Sequence, residues 1–232
     1  MNETDKWSNQ FGSGKLSDKR TSVWGKKLLG GYAGVKWTAE RIMALSPLST
    51  PNNPNYNLYI EPFAGLARTA KYVDLPMVLN DKSEFSNDYC IDTYPDAIVE
   101  NMDFMETIDK YDSDKTFFLI DPPWRYTTYK HNEKSVCDRR TFEYYDELLK
   151  RVETMKGDWF ILSSADEHET KNILRKSKYG IMIVESEGKV IFGKKARTMI
   201  CSNIFNPEIK EKWVSSTART KSMVKTEKFR HE

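Results

Sequence analysis

Asp121-Pro122-Pro123-Trp124 stands directly after the apolar run TFFLID (116–121). Two successive prolines fix φ and remove two N–H donors, which leaves rigid carbonyls that only accept hydrogen bonds. The Asp121 carboxylate and the Pro122 carbonyl form an acceptor pair suited to an NH2 group. Accepting both amine hydrogens localises the nitrogen lone pair and points it toward an electrophile. Trp124 adds a flat face on which a base can stack. The plain alternative is a strand end closed by a rigid turn, with Trp124 in the core. Position favours chemistry, because ligands of open α/β sheets bind beyond the carboxyl ends of the strands.

Two further groups stand at strand ends. Glu61-Pro62-Phe63-Ala64-Gly65-Leu66-Ala67 closes the run LYIEPF, and Gly65 permits a tight strand-to-helix turn with close backbone approach to a ligand. Asp81 closes MVLND (77–81). An acid there can take both hydroxyls of a ribose, or simply cap the next helix.

The elements that must position these residues follow from periodicity. KWTAERIMAL, from Lys36, has helical spacing and stops before Ser46-Pro47; the Pro/Asn-rich loop SPLSTPNNPNYN follows. LYIEPF (58–63), MVLND, AIVENMDF (97–104), TFFLID and WFILSS (159–164) read as strands, and LARTAKYV and SEFSNDYCIDTY as helical stretches between them. TFEYYDELLKRVETMKG (141–157) is the clearest helix, with Phe142, Tyr145, Leu148, Leu149 and Val152 on one face. A helix through His168–Lys176 follows. IMIVES and KVIFGK suggest a hairpin turning at Glu187-Gly188, and RTMICSNIF (197–205) a last strand. The expected fold is an α/β sandwich, mostly parallel with an antiparallel edge hairpin. It divides into an N-terminal arm (1–30), a main domain (31–207) and a basic, frayed tail (208–232).

The 232 residues fit one large domain, and 39% hydrophobic and 12% aromatic residues describe a globular protein rather than a membrane one. No apolar run approaches the ~20 residues that cross a bilayer, and the N-terminus has no secretory signal. Cys90, Cys137 and Cys201 are odd in number and far apart, which implies reduced thiols, no zinc site and a cytoplasmic location. The net charge of +2 hides basic ends around an acidic body. Such ends suit a nucleic-acid partner or plain solvated tails, and charge alone does not choose between them.

The run Tyr32-Ala33-Gly34-Val35-Lys36, then YIEPFAGLA, VLND, MDF and FFLIDPPW, resembles the adenine-specific DNA methyltransferases of the alpha class, the group of the bacterial GATC adenine methylase. The similarity covers residues 32–205. It implies a Rossmann-like fold, S-adenosylmethionine as cofactor with S-adenosylhomocysteine as product, no metal, and N6 of adenine in DNA as the target. By the same resemblance Tyr32 and Lys36 line the cofactor site, and Phe63 and Gly65 pack on its methionine part. Asp81 binds the ribose, while Asp103 and Phe104 meet the adenine. Asp121, Pro122, Pro123 and Trp124 are the catalytic turn. Phe63 and Phe104 are equally compatible with core packing.

Departures from the family pattern are Val35 and Ala67 where glycines are usual, Trp124 where tyrosine is commoner, and a short span between Gly65 and Asp121 where relatives insert a target-recognition domain. Base reading is then expected from Arg125–Thr141, where Arg125, Tyr126, Tyr129, Lys130, Arg139 and Arg140 mix charge with aromatic faces; a solvated polar loop is the alternative. His131 has no expected catalytic role. RNA adenine-N6 and DNA cytosine-N4 methylation share the chemistry, and an inactive nucleic-acid-binding subunit of the same fold is the rival from another class.

Overall fold

Four β-to-α connections leave the carboxyl ends of the strands in a single eight-stranded sheet, and Gly65, Asp81 and Asp121 all follow strands at those ends. The computed structural model describes residues 36–49, 55–122, 141–165, 168–185, 197–208 and 212–214. The helices are α1 (Lys36–Leu45), α2 (Glu84–Thr93), α3 (Phe104–Tyr111), α4 (Thr141–Val152) and α5 (His168–Lys176). The strands are β1 (Leu58–Glu61), β2 (Met77–Asn80), β3 (Ile98–Glu100), β4 (Thr116–Ile120), β5 (Asp158–Ser164), β6 (Gly180–Glu185), β7 (Arg197–Ser202) and β8 (Lys212–Val214). The sheet order is β3-β2-β1-β4-β5-β7-β6-β8. Strands β3, β2, β1, β4 and β5 run parallel, whereas β7 is antiparallel to both β5 and β6. This is the expected α/β, mostly parallel, Rossmann-like architecture.

The central strands are apolar throughout because helices cover both faces. All five residues of β4 are buried, and alternate ones serve opposite layers. Phe117 and Leu119 pack with Ile42 and Leu45 of α1 and Cys90 of α2. Phe118 and Ile120 pack with Ile108 of α3, Tyr145 and Leu148 of α4, and Leu174 of α5. Tyr145 is wholly buried yet satisfied, since its hydroxyl donates to the Leu162 carbonyl at 2.9 Å.

Four expectations from the sequence change. The stretch 97–104 is not one strand: β3 stops at Glu100 and Asp103 caps α3, because the Met102 amide is drawn to the Asn80 side chain and turns the chain. LARTAKYV makes only a single 3-10 turn at Ala70–Tyr72. Helix α4 ends at Val152 rather than just before Gly157, since the Thr154 amide and hydroxyl close onto the Arg151 carbonyl and the Lys156 and Gly157 amides donate to Asp112. The antiparallel partner of residues 180–185 is 197–202, with Gly180 opposite Ser202 and Glu185 opposite Arg197. That interior place between β5 and β6 needs a strand apolar on both faces, which RTMICS supplies and the lysine-flanked KVIFGK does not. KVIFGK itself lies outside the described residues.

Beyond Pro207 the chain is not wholly frayed. Residues Lys212–Val214 add β8 parallel to β6, with Trp213 opposite Ile183. Among the described residues no helix is long and apolar enough to cross a membrane, and Cys90 and Cys201 are buried free thiols. The arm 1–30, most of the tail and Cys137 lie outside the described residues.

Gly180 opens β6 against the chain after β7, where a Cβ would stand 2.5 Å from the Asn206 carbonyl oxygen and 2.6 Å from the Phe205 Cβ. Both obstacles are close to the backbone and cannot swing away. Gly180→Ala is therefore expected to cost about 1–3 kcal/mol, read as a lower denaturant midpoint at unchanged slope. An unchanged midpoint would show that the β6–β7 junction yields.

Candidate active site

The strand order reverses direction of growth between β1 and β4, and ligands of open α/β sheets enter at that switch point, beyond the carboxyl ends. Three neighbouring strands bring acids there: Asp81 follows β2, Glu61 ends β1 and Asp121 follows β4. The Gly65 turn and the Asp121-Pro122 turn thus share one rim. Pro122 is buried and Asp121 partly exposed.

The turn after β1 is tightly held. Gly65 (φ 52°) and Ala67 (φ 42°) both occupy the left-handed region. A non-glycine residue there is strained, and it persists only where the surroundings fix it. Here the Ala67 amide donates to Ala64 O at 2.6 Å and its carbonyl accepts from the Tyr94 hydroxyl. A left-handed backbone of this kind is the conformation that glycine adopts most easily. The chain keeps that geometry despite its alanine.

Asp81 fastens this turn to the end of β2. Its Oδ2 accepts from the Gly65 amide at 2.8 Å and its Oδ1 from the Ser83 amide at 2.8 Å. Burial pushes its carboxyl up, the Ser83 and Gly65 amides pull it back, and the net shift is upward. The helix-cap alternative is not what is seen, since Ser83, not Asp81, is the N-cap of α2.

Asn80, which no reading of the sequence singled out, does more for the rim than any other side chain described. Its Nδ2 donates to Pro62 O at 2.9 Å and Met102 O at 3.2 Å, and its Oδ1 accepts from the Met102 amide at 2.9 Å. One buried amide therefore binds the loops after β1 and β3 to β2. The signal available in the sequence was a polar residue at the last position of an apolar run.

Glu61 carried the same signal. It is 4% exposed, and its Oε1 accepts from Tyr59 and Thr69 hydroxyls, each at 2.7 Å. Burial raises its carboxyl strongly; the two hydroxyls lower it, the Asp121 charge raises it again, and the result lies at about 7.

Of the other expected site residues, Phe63 and Phe104 do meet, with ring centroids 4.9 Å apart. Phe104 is buried in the layer under β1 and β4, so core packing accounts for it fully. Asp103 caps α3 through the Met105 amide at 3.0 Å and pairs with Lys82 at 2.6 Å. Burial pushes its carboxyl up, but Lys82 and the amide outweigh that and the net shift is downward. Lys36 opens α1, a helix tied to the turn region by Tyr72 donating to Glu40 at 3.3 Å. Tyr32, Pro123, Trp124, Arg125, Tyr126, Tyr129, Lys130, Arg139 and Arg140 lie outside the described residues.

The donor set discriminates between ligand classes. A phosphate site needs free backbone amides, but those of Ala64, Gly65 and Ala67 are spent on Asn80 O, Asp81 and Ala64 O. A rim of Glu61, Asp81, Asp103 and Asp121 offers acceptors instead. Acceptors fit hydroxyls and positive charge, and so fit a cationic nucleoside such as S-adenosylmethionine. Among the described residues no group of three or more His, Cys, Asp or Glu is placed to hold a metal ion.

No family model matches the chain, and no curated protein does. Solved structures do resemble it. A candidate class I S-adenosylmethionine-dependent methyltransferase from Listeria monocytogenes aligns at TM-score 0.54 and 12% identity, over 90% of this chain and 77% of that one. A Legionella pneumophila protein whose description states no activity aligns at TM-score 0.50 and 11% identity, over 78% of this chain and 90% of that one. At such identities the likeness is one of fold: that of the class I S-adenosylmethionine-dependent methyltransferases.

Because the folded chain holds a proton on Glu61 up to about 7 against an ordinary 4.5, it binds that proton more tightly than the unfolded chain. The associated stability is full below the ordinary value and is lost as pH rises through 7. Glu61→Gln should abolish this loss, which is on the order of 3 kcal/mol. Guanidinium unfolding at pH 5 and pH 8 measures it; equal pH dependence in both proteins would refute the buried proton.

Proposed function

We propose that this chain transfers a methyl group from S-adenosylmethionine to the exocyclic amine of a nucleobase, with N6 of adenine in DNA as the target. The observation that carries the reading is that Asp121-Pro122 follows β4 while the Gly65 turn, bonded to Asp81, follows the adjacent strand β1, on either side of the switch point. A cofactor site and an amine-holding site are needed within one cleft, and this arrangement supports that.

The cofactor supplies an electrophilic methyl on a sulfonium. The protein's share is alignment and charge stabilisation. Asp81 takes the ribose hydroxyls on the lone pairs its two amide bonds leave. Phe63 gives apolar cover at the rim. The Asp121 carboxylate and the Pro122 carbonyl accept the two amine hydrogens and turn the nitrogen lone pair toward the methyl carbon. Methylation would build positive charge on the amine, and the Asp121 carboxylate would stabilise it until the amine proton leaves. A base in a duplex must first leave the stack, and Trp124 is the face proposed to receive it.

Contact with DNA is assigned to Arg125, Tyr126, Tyr129, Lys130, Arg139 and Arg140. Their flanks, Pro122 after β4 and Thr141 at the start of α4, are where a β-to-α connection reaches the ligand side of such a sheet. Asp103, capped and paired with Lys82, retains acceptor lone pairs for the cofactor's adenine amine.

Labelled S-adenosylmethionine offered with separate DNA and RNA pools, followed by nucleoside analysis, tests the assignment. N6-methyladenine in DNA is expected; label confined to RNA or to cytosine would move the target, and no label would remove the activity. Asp121→Ala should lower methylation at least about a hundredfold while cofactor affinity stays within a few-fold. Parallel loss of both would contradict the role given to Asp121.

A further inference from the structure

Glu61 has no part in the chemistry described so far, yet it is the most enclosed acid of the rim. It lies between Asp81 and Asp121, since β1 stands between β2 and β4 in the sheet. Facing its carboxyl are Tyr59 from β1, Thr69 and the Ala70 amide from the turn, Cys90 and Tyr94 from α2, and Asp121 from β4. Arg68 bears on Tyr94, and Asp81 on Cys90. The Thr69 bond ties Glu61 to the chain just after the Gly65 turn, and Cys90, beside Glu61, reaches the Gly65 carbonyl at 3.8 Å.

A carboxyl buried beside another acid has reason to stay protonated, and equal reason to ionise when a cation arrives. We propose that Glu61 is the proton-linked counter-charge of the cofactor cleft: neutral in the free chain, it gives up its proton as a positively charged ligand enters above the Gly65 turn. The step balances, with the carboxylic acid becoming a carboxylate beside the cation and the proton passing to the buffer. It rests on the methyltransferase reading, because S-adenosylmethionine is the cation concerned.

The linkage is supported by the upward position of this carboxyl, about 7 in the free chain. Its donors Tyr59 and Thr69 already favour the ionised form, so the cost left to be met is burial and the neighbouring Asp121 charge. A cation offsets both. Ligand affinity should therefore fall about tenfold per pH unit below 7 and level off above 8.

Titration calorimetry of the full chain with S-adenosylmethionine, in buffers of different ionisation enthalpy, counts protons directly without any turnover. Binding should release nearly one proton around pH 6, about half near pH 7 and little at pH 8. Glu61→Gln should release almost none and lose the pH dependence of affinity. Thr69→Val, which removes one donor to the ionised form, should move the half-release point above 7. Binding with no proton change between pH 6 and 8 would overturn the proposal, as would an unshifted profile in both variants. Failure of the folded wild-type chain to bind S-adenosylmethionine at all would remove the methyltransferase reading itself, a distinct result.

Discussion

The rim of this sheet is held in shape by side chains that bond to neighbouring loops rather than to each other. Asn80 and Asp81 are consecutive, and successive residues of a strand point to opposite faces. Leaving β2, they therefore reach in different directions. The Asn80 amide reaches Pro62 and Met102, and the Asp81 carboxylate reaches Gly65 and Ser83. The loops after β1, β2 and β3 are thereby indexed to the end of β2. Loops positioned by a rigid scaffold are where binding residues concentrate, and here the scaffold includes two buried polar side chains.

That wiring also decides what the cleft is for. The amides of Ala64, Gly65 and Ala67 are consumed internally, so none of the three adds to the N–H cradle that a phosphate requires. What remains is a row of acids at three adjacent strand ends. Such a row is costly unless a ligand brings hydroxyls and positive charge, because like charges in a partly buried site repel. The carboxyls of Glu61 and Asp81 are both pushed up chiefly by burial, and the Asp121 charge adds to the shift of Glu61. The contrast with dinucleotide sites, which share the fold, therefore lies in where the turn amides go.

Much of this was legible from sequence because parallel strands buried on both faces give unbroken apolar runs. TFFLID and WFILSS read as strands for that reason, and the Asp121 turn followed from its place after one of them. Boundaries failed where a tertiary hydrogen bond overrides local pattern. AIVENMDF looks continuous until Met102 is captured by Asn80, and the hairpin expected at Glu187-Gly188 ignores the need for an interior strand apolar on both faces. Asn80 escaped notice, and Glu61 was named only as part of its motif, because their bonds cross turns or reach other loops, and single-sequence pattern has no term for that. Asp103 illustrates the converse: its capping box with Glu106 is local and could have been read from D-x-x-E spacing.

The strain in the turn bears on the one departure that most invites doubt. An alanine in the left-handed region costs on the order of 1–2 kcal/mol, so a chain with no use for this turn would be expected to relax out of it. Ala67 stays at φ 42° because Ala64, Tyr94 and Ala70 all bond to its peptide groups. The Thr69–Glu61 bond then pins the next residues to β1. A buried acid and a strained alanine within seven residues are each unfavourable alone. Their coexistence is what a site shaped for a ligand looks like, and it weighs against a chain that has kept the fold only as a scaffold.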